Sequence, residues 1–276
     1  MVAGEIEANH AYSGRTRRKK RCIRISYEHA FHMDIVPAIP NPTSAGSSIL
    51  IPSKETVGTH WQPTDPKGYA RWFEEISQAR YAEKRAAIEP LPVPAPADDK
   101  SAVQIATQLL KRNHHVVVTD EHLRTPSIVL TTVAAASSRG GQFSIEACMH
   151  ATVAAVQDLV SNPSPPRITH PTESHEVISE KWNSPQVWHA FRVHADTLAK
   201  QWRAVIASLG TGYENTYRLL AVMFGEAPVQ QALKSLADRT RRLTERRQII
   251  TATGGALAAT LPGRGNPPKT FYGQGR

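Results

Sequence analysis

A carboxylate stands alone in the stretch Phe31-His32-Met33-Asp34-Ile35-Val36, and its surroundings pose the first chemical question. In an extended strand His32, Asp34 and Val36 share one face, while Phe31, Met33 and Ile35 share the other. An ionised acid in an otherwise apolar strand is costly to bury without a partner. A hard cation beside Asp34 would remove that cost. An arginine next to it at an exposed strand edge would do the same, and strand pattern alone does not choose between the two. The strand that must position Asp34 is Phe31–Pro37, preceded across a turn by a first candidate strand, Cys22–Tyr27.

Other groups with chemical potential are fewer than the composition suggests. The triplet Glu5-Ile6-Glu7 has the acid–apolar–acid form that binds metals in some phosphotransfer enzymes. Its small and polar flanks read instead as the surface of a helix. His114-His115 and the pair His29 and His32 lack a third partner at ligand spacing for zinc. No serine or cysteine has a base and an orienting group in an evident pattern. The five tryptophans, Trp61, Trp72, Trp182, Trp188 and Trp202, read as core and not as stacking platforms for bases.

The chain of 276 residues is long enough for a sizeable core and one or two domains. No segment approaches the roughly 18 apolar residues of a membrane-spanning helix. The first residues carry Glu5, Glu7 and His10 and no apolar leader, so a cytoplasmic protein is expected. Cys22 and Cys148 lie far apart and read as reduced thiols. Lys plus Arg number 33 against 24 Asp plus Glu, a net charge of +9. That excess favours anionic partners such as nucleotides, nucleic acid or an acidic protein. It is concentrated in two places: Arg15, Arg17, Arg18, Lys19, Lys20 and Arg21 before the first strand, and Arg239, Arg241, Arg242, Arg246 and Arg247. Both also suit a solvated face.

The remaining elements follow in order. Residues 1–20 read as the end of a helix and a basic loop. Ile49-Leu50-Ile51 is a short apolar run. Asp65-Pro66-Lys67-Gly68-Tyr69 has helix-start chemistry, with Asp65 or Thr64 as cap and Pro66 just inside; Trp72, Phe73 and Ile76 mark the buried stripe. Residues 90–97 alternate proline with small apolar residues and predict an extended connector. Lys100–Asn113 is an amphipathic helix on Val103, Ala106, Leu109 and Leu110, with Lys111, Arg112, His114 and His115 at its C-terminal end, where the dipole favours cations. Val116-Val117-Val118 fits a strand or a step into the next helix. The helix opened by Pro126 is apolar nearly all round and should be central. Further helices are expected at Ser144–Leu159, around Trp182, Trp188 and Trp202, at Tyr213–Phe224 and at Val229–Ile250. The fold class expected is α+β, with a small N-terminal sheet followed by a mainly helical part. The domains expected are 1–97 and 98–276.

Five segments in register carry a family resemblance. Phe31-His-Met-Asp-Ile-Val-Pro-Ala38 resembles the third catalytic-aspartate strand of the bacterial cGAS/DncV-like nucleotidyltransferases, relatives of the oligoadenylate synthetases. Thr64–Phe73 is similar to the segment that follows it. Gln108–Asn113 with Pro126–Ala134 resembles the first two helices of the family's helical domain. His170-Pro171 with Glu176, Lys181 and Trp182, and the ending Lys269-Thr-Phe-Tyr-Gly273, look like two further family segments.

The resemblance implies a partial polymerase-β-like sheet, nucleoside triphosphate substrates, and a cyclic di- or oligonucleotide product that activates an effector protein in anti-phage signalling. It implies two Mg²⁺ ions held by three carboxylates. Asp34 is by this likeness the third carboxylate, the catalytic group and metal ligand nearest the attacking hydroxyl. Lys67, Lys111 and Arg112 are by the same likeness substrate-binding positions for phosphate. The family's Gly-Ser turn followed by an Asp-x-Asp strand is not found ahead of Asp34, and Gly46-Ser47 comes after it. The metal site is therefore incomplete, and the expectation is a catalytic domain lacking its first segment and inactive alone. A misplaced start, a split gene, a degraded enzyme or a second polypeptide would each account for this. Two competing readings are a non-catalytic basic module for nucleotides or nucleic acid, and a helical interaction protein.

Overall fold

The computed structural model describes residues 2–19, 21–27, 31–44, 46–53, 60–77, 100–138, 144–245, 249–251 and 257–259. The proline-rich connector at 90–97, Arg246, Arg247 and the ending 269–273 lie outside the described residues. The chain forms two compact units, Met1–Ala199 and Lys200–Arg276.

The first unit opens with helix α1 (Val2–Ala8), whose Glu7 forms a bidentate pair with Arg18 at 2.6 Å for both contacts. The acid–apolar–acid triplet is thus helix surface. Two small antiparallel sheets follow. Strands β1 (Thr16–Arg18), β2 (Ile23–Tyr27) and β3 (Phe31–Ile35) form one, in the order β1-β2-β3. Strands β4 (Ile39–Pro40), β5 (Ile49–Ser53) and β6 (His60–Thr64) form the other. The basic run is therefore partly a strand and not a loop. Its cations alternate with one another across the pleat and reveal no apolar face. The N–H of Ser26 donates to the Arg15 carbonyl and that of Lys19 to the Cys22 carbonyl, which locks β1 onto β2.

Helix α2 (Pro66–Ser77) starts as the sequence requires. The Gly68 N–H donates to Asp65 Oδ1 at 2.9 Å, and Pro66 occupies a position that has no need of an N–H. Its Tyr69 hydroxyl reaches the Ile128 carbonyl at 3.3 Å and Thr132 at 3.1 Å, and so ties α2 to the helical core. That core is α3 (Ala102–Val117), α4 (Ser127–Ser137), α5 (Ile145–Ser161) and the first half of α6 (Pro185–Ser208). A full capping box, Ser101 with Gln104, starts α3. The helix runs on through Val117, so Val116–Val118 is not a strand. Helix α4 is central as its all-round apolar sequence demands, with Val129, Leu130, Ala134 and Ala135 buried. Trp188 and Trp202 both lie on α6, whereas Trp182 sits in the preceding short turn. Trp182, Trp188 and Phe191 stack into one buried aromatic cluster.

Polar side chains are also drawn into this core. His114, at the end of α3, accepts the Thr125 N–H through Nε2 at 3.0 Å. His194 of α6 meets Asn113 Oδ1 through Nε2 at 3.1 Å. The two imidazoles stand edge-on, centroids 4.5 Å apart, and each Nδ1 is buried without a hydrogen-bond partner among the described residues. The corner between α3 and α4 is pinned throughout. Arg124 donates to the carbonyls of Val118 (2.8 Å) and Thr119 (2.9 Å), Lys181 donates to the Arg124 carbonyl (2.7 Å), and Trp182 Nε1 donates to Thr125 (2.9 Å).

A hairpin that the sequence pattern had hidden, β7 (Thr169–His170) with β8 (Glu173–Val177), lies among the prolines between α5 and α6. In the second unit, α7 (Tyr213–Phe224) and α8 (Glu226–Glu245) pack together, and β9 (Ile249–Thr251) pairs with β10 (Leu257–Ala259). Helix α8 stops at Glu245, and Ile249 and Ile250 are strand, where a helix to Ile250 was expected. No helix of the described residues is long and apolar enough to cross a membrane.

Candidate functional site

The hairpin β2–β3 sets the geometry around Asp34. Its register places Arg24 opposite Asp34, Ile25 opposite Met33 and Ser26 opposite His32. Ile23 and Ile25 point into the core, with 5% and 1% of their surface exposed. Arg24 therefore points the other way, onto the face that carries Asp34. The guanidinium grips the carboxylate at both oxygens, Nε to Oδ1 at 2.7 Å and Nη2 to Oδ2 at 2.8 Å. Hydrogen bonds from Arg24 hold the Asp34 carboxyl below its ordinary range, against a smaller effect of burial. Burial, then the neighbouring Asp34 charge, pushes the Cys22 thiol up. Asp34 is thus an ionised acid on a half-open face, paired with an arginine from the next strand.

That face is strongly basic. The cross-strand row Arg17–Arg24–Asp34 is extended on one side by Arg15, Ser26 and His32, and on the other by Lys19, Cys22 and Val36. Four cations and a histidine surround one carboxylate on a single side of three strands. Arg18 lies on the opposite side and is consumed by Glu7; Arg21 is paired with Glu176 (3.2 Å) and Glu180 (3.6 Å).

The other sequence-derived positions lie on other elements. Lys67 is exposed in the first turn of α2; Lys111 is half-buried and Arg112 exposed on α3. The ion pair at Asp34 is made by Arg24 and not by any of these three. Arg24 itself was missed in the sequence, although it and Asp34 are equidistant from position 29, as partners in a hairpin must be.

A second acidic node lies at Asp65, which the sequence offers as a helix cap but not as a point where separate elements meet. Asp65 is buried, 7% exposed, and accepts from Ser47 Oγ at 2.6 Å as well as from the Gly68 N–H; Arg71 in turn donates to Ser47 at 2.7 Å. Burial opposes ionisation of Asp65, but hydrogen bonds from Ser47, Gly68 and Thr172 outweigh it and hold the carboxyl below its ordinary range. Gly46-Ser47 therefore serves the start of α2. Gly68 is required there: a Cβ on it would lie 1.9 Å from Asp65 Oδ2 and 2.7 Å from Thr172 Oγ1.

A magnesium ion demands several hard oxygen ligands in near-octahedral array. Both oxygens of Asp34 are engaged by Arg24, and among the described residues no three His, Cys, Asp or Glu side chains come together to hold a metal. The described residues do not fit a resident Mg²⁺ at Asp34.

Comparison with known proteins places this hairpin in context. Residues 3–76 match the Second Messenger Oligonucleotide or Dinucleotide Synthetase domain, a span that includes Arg24, Asp34 and Asp65. The chain is similar to a c-di-GMP synthase of Roseivirga ehrenbergii, 24% identical over 99% of this chain and 73% of that protein. It is also similar to the cyclic dinucleotide synthase CdnG of Bradyrhizobium diazoefficiens, 24% identical over 89% of this chain and 65% of that protein, just under two thirds of its length. The solved structure of that CdnG with GTP shares the fold, with a TM-score of 0.61 and 20% identity over 84% of this chain and 71% of that one. The Escherichia coli DncV structure, a 3′-deoxy GTP bound form, does so with a TM-score of 0.55 and 15% identity over 82% of this chain and 55% of that one. The mixed fold, a small antiparallel N-terminal sheet region followed by a mostly helical part, is the one these nucleotidyltransferases have. Over residues 3–76 in sequence, and over most of its length in fold, the chain is similar to the bacterial cGAS/DncV-like nucleotidyltransferases.

Proposed function

We propose that this chain serves the synthesis of a cyclic di- or oligonucleotide from nucleoside triphosphates, with Asp34 as the carboxylate that faces the attacking ribose hydroxyl. The observation that supports it is the position of the Asp34 hairpin inside the span matching the synthetase domain, on a face rich in cations. The Arg24–Asp34 pair suggests how the two groups divide the work. A guanidinium fork binds phosphate as well as carboxylate. An incoming triphosphate can therefore take Arg24 and release Asp34 as hydrogen-bond acceptor for a hydroxyl. Lys67, Lys111 and Arg112 are proposed as further phosphate contacts. The product would activate an effector protein in anti-phage signalling, in the cytoplasm.

Asp34, with both oxygens on Arg24, does not assemble a divalent-cation site among the described residues, so this polypeptide is expected to make no product. The test is an assay of this polypeptide with ATP, GTP, CTP and UTP and either Mg²⁺ or Mn²⁺, read by mass spectrometry of the nucleotides. Binding of a nucleoside triphosphate without turnover is the expected result. Robust product formation would overturn this expectation.

A second reading rests on the same basic face: a non-catalytic module that holds nucleotides or nucleic acid through Arg15, Arg17, Lys19 and Arg24. Affinity would then fall steeply with salt and be indifferent to divalent metal. Affinity for a triphosphate that rises with added Mn²⁺ favours the synthase reading instead.

A further inference from the structure

Arg21 ends the basic run, in the turn between β1 and β2, three residues before Arg24. Its guanidinium leaves the sheet and meets two acids from far along the chain. Nη1 donates to Glu176 Oε1 at 3.2 Å, across 155 residues of sequence, and Nη2 lies 3.6 Å from Glu180 Oε2. A planar fork with two separate nitrogens can serve two acids at once. Glu176 is the more enclosed of the pair. Its side chain keeps 10% of its surface exposed, and its Oε2 is buried with no hydrogen-bond partner among the described residues. A carboxylate enclosed in this way depends on its cation, since desolvation without a partner is costly.

The two acids stand on a braced frame. Between them Ile178 and Ser179 are buried. Ser179 Oγ donates to the Pro166 carbonyl at 3.1 Å and accepts the Ile168 N–H at 2.9 Å. Directly after Glu180, Lys181 holds the Arg124 carbonyl and Trp182 holds the Thr125 hydroxyl, and the Thr125 N–H returns to His114. His114 lies three residues after Lys111 on α3. Bonds and short covalent steps thus run from the turn before β2 to the end of α3. One end of the path carries the Arg24–Asp34 pair. The other carries Lys111 and Arg112.

We infer that Glu176 is a positioning residue, with Glu180 in support: through Arg21 it holds the β2–β3 hairpin at a fixed spacing from the end of α3. The inference rests on the reading of this chain as a triphosphate-binding synthase. Groups on two elements grip one ligand together only when their spacing is held, and a displacement of about 1 Å can cost orders of magnitude in rate. Charge by itself predicts the opposite of positioning. Glu176 is an anion near a basic face, so removing it would strengthen anion binding if its field were all that mattered.

Two measurements on the 276-residue protein test this. In the first, ATP and GTP are titrated calorimetrically. Glu176→Leu removes both the charge and the acceptor for Arg21, and should weaken binding about fivefold or more. Glu176→Gln removes the charge and keeps an acceptor, and should recover part of that loss. In the second, hydrogen exchange is followed without nucleotide. The bonded amides of β2 and β3 should exchange about fivefold faster or more in Glu176→Leu, while those of α4 and α5 are unchanged. Binding that is unaltered or tighter in both variants overturns the inference, as does exchange of β2 and β3 that does not change. If the unaltered protein binds neither nucleotide, the synthase reading fails, and the exchange measurement alone decides whether Glu176 holds the hairpin.

Discussion

Lowering the pH from 8 to 5 should destabilise this protein through His114 and His194. Burial pushes the pKa of His114 down to about 4, assisted by the nearby Arg124, His115 and Lys181. Burial pushes that of His194 down to about 3, with His114 as the further cause. Both side chains are essentially out of solvent, 3% and 0% exposed. The ring chemistry agrees with the direction. His114 Nε2 accepts from the Thr125 N–H, so a second proton on that ring would cost this bond, and neither buried Nδ1 has a hydrogen-bond partner among the described residues to stabilise an imidazolium. Both folded-state values lie below the unfolded value of 6.5, so the unfolded chain binds more protons. Stability is then fully present above pH 6.5 and is lost as pH falls through that value towards 4 and 3. At pH 5 each histidine costs about 2 kcal/mol relative to pH 8, about 4 kcal/mol together. That is a large part of a typical stability of roughly 5–15 kcal/mol. Urea titrations followed by tryptophan fluorescence suit the purpose, because Trp182 and Trp188 stack around Phe191 next to His194. The unfolding free energy should rise with pH between 5 and 6 with a slope near two protons, and near one in His194→Gln. A flat profile, or His114 and His194 imidazole resonances that titrate near pH 6.5 in the folded protein, would refute the reasoning.

Three further outcomes follow from local geometry. Gly68→Ala should destabilise by about 2 kcal/mol by forcing Asp65 or Thr172 aside, read as a lowered urea midpoint. Ser101→Ala should cost about 1 kcal/mol, since it removes half of the capping box of α3, again by urea titration. Asp34→Ala should leave the unfolding midpoint unchanged, because a half-exposed ion pair contributes little; a substantial loss of stability would assign Asp34 a structural role.

Much of the helical part was legible because periodicity and end signals agreed. Tyr213–Phe224 is bounded by Gly212 and Gly225, and the all-apolar run after Pro126 could only be central. The sheet was harder to read. Strand β1 is a row of cations whose extended form comes from its neighbour, and β7–β8 hides among Pro163, Pro165, Pro166 and Pro171. The Asp34 strand itself was plain, but its partner was not, since pairing across a turn is a long-range fact. Asp65 was legible as a helix cap from Asp-Pro alone; that Ser47 and Thr172 also converge on it depends on three separate elements meeting.

The corner between α3 and α4 has a consequence for handling the protein. By appearance it is a connecting loop, yet its carbonyls at Val118, Thr119 and Arg124 and its Thr125 amide are all taken by side chains. Backbone held this way opens only when the surrounding helices part. Residues 118–126 should therefore resist limited proteolysis and exchange their bonded amides as slowly as the helices do. The same segment is a poor place to cut, tag or circularly permute the chain.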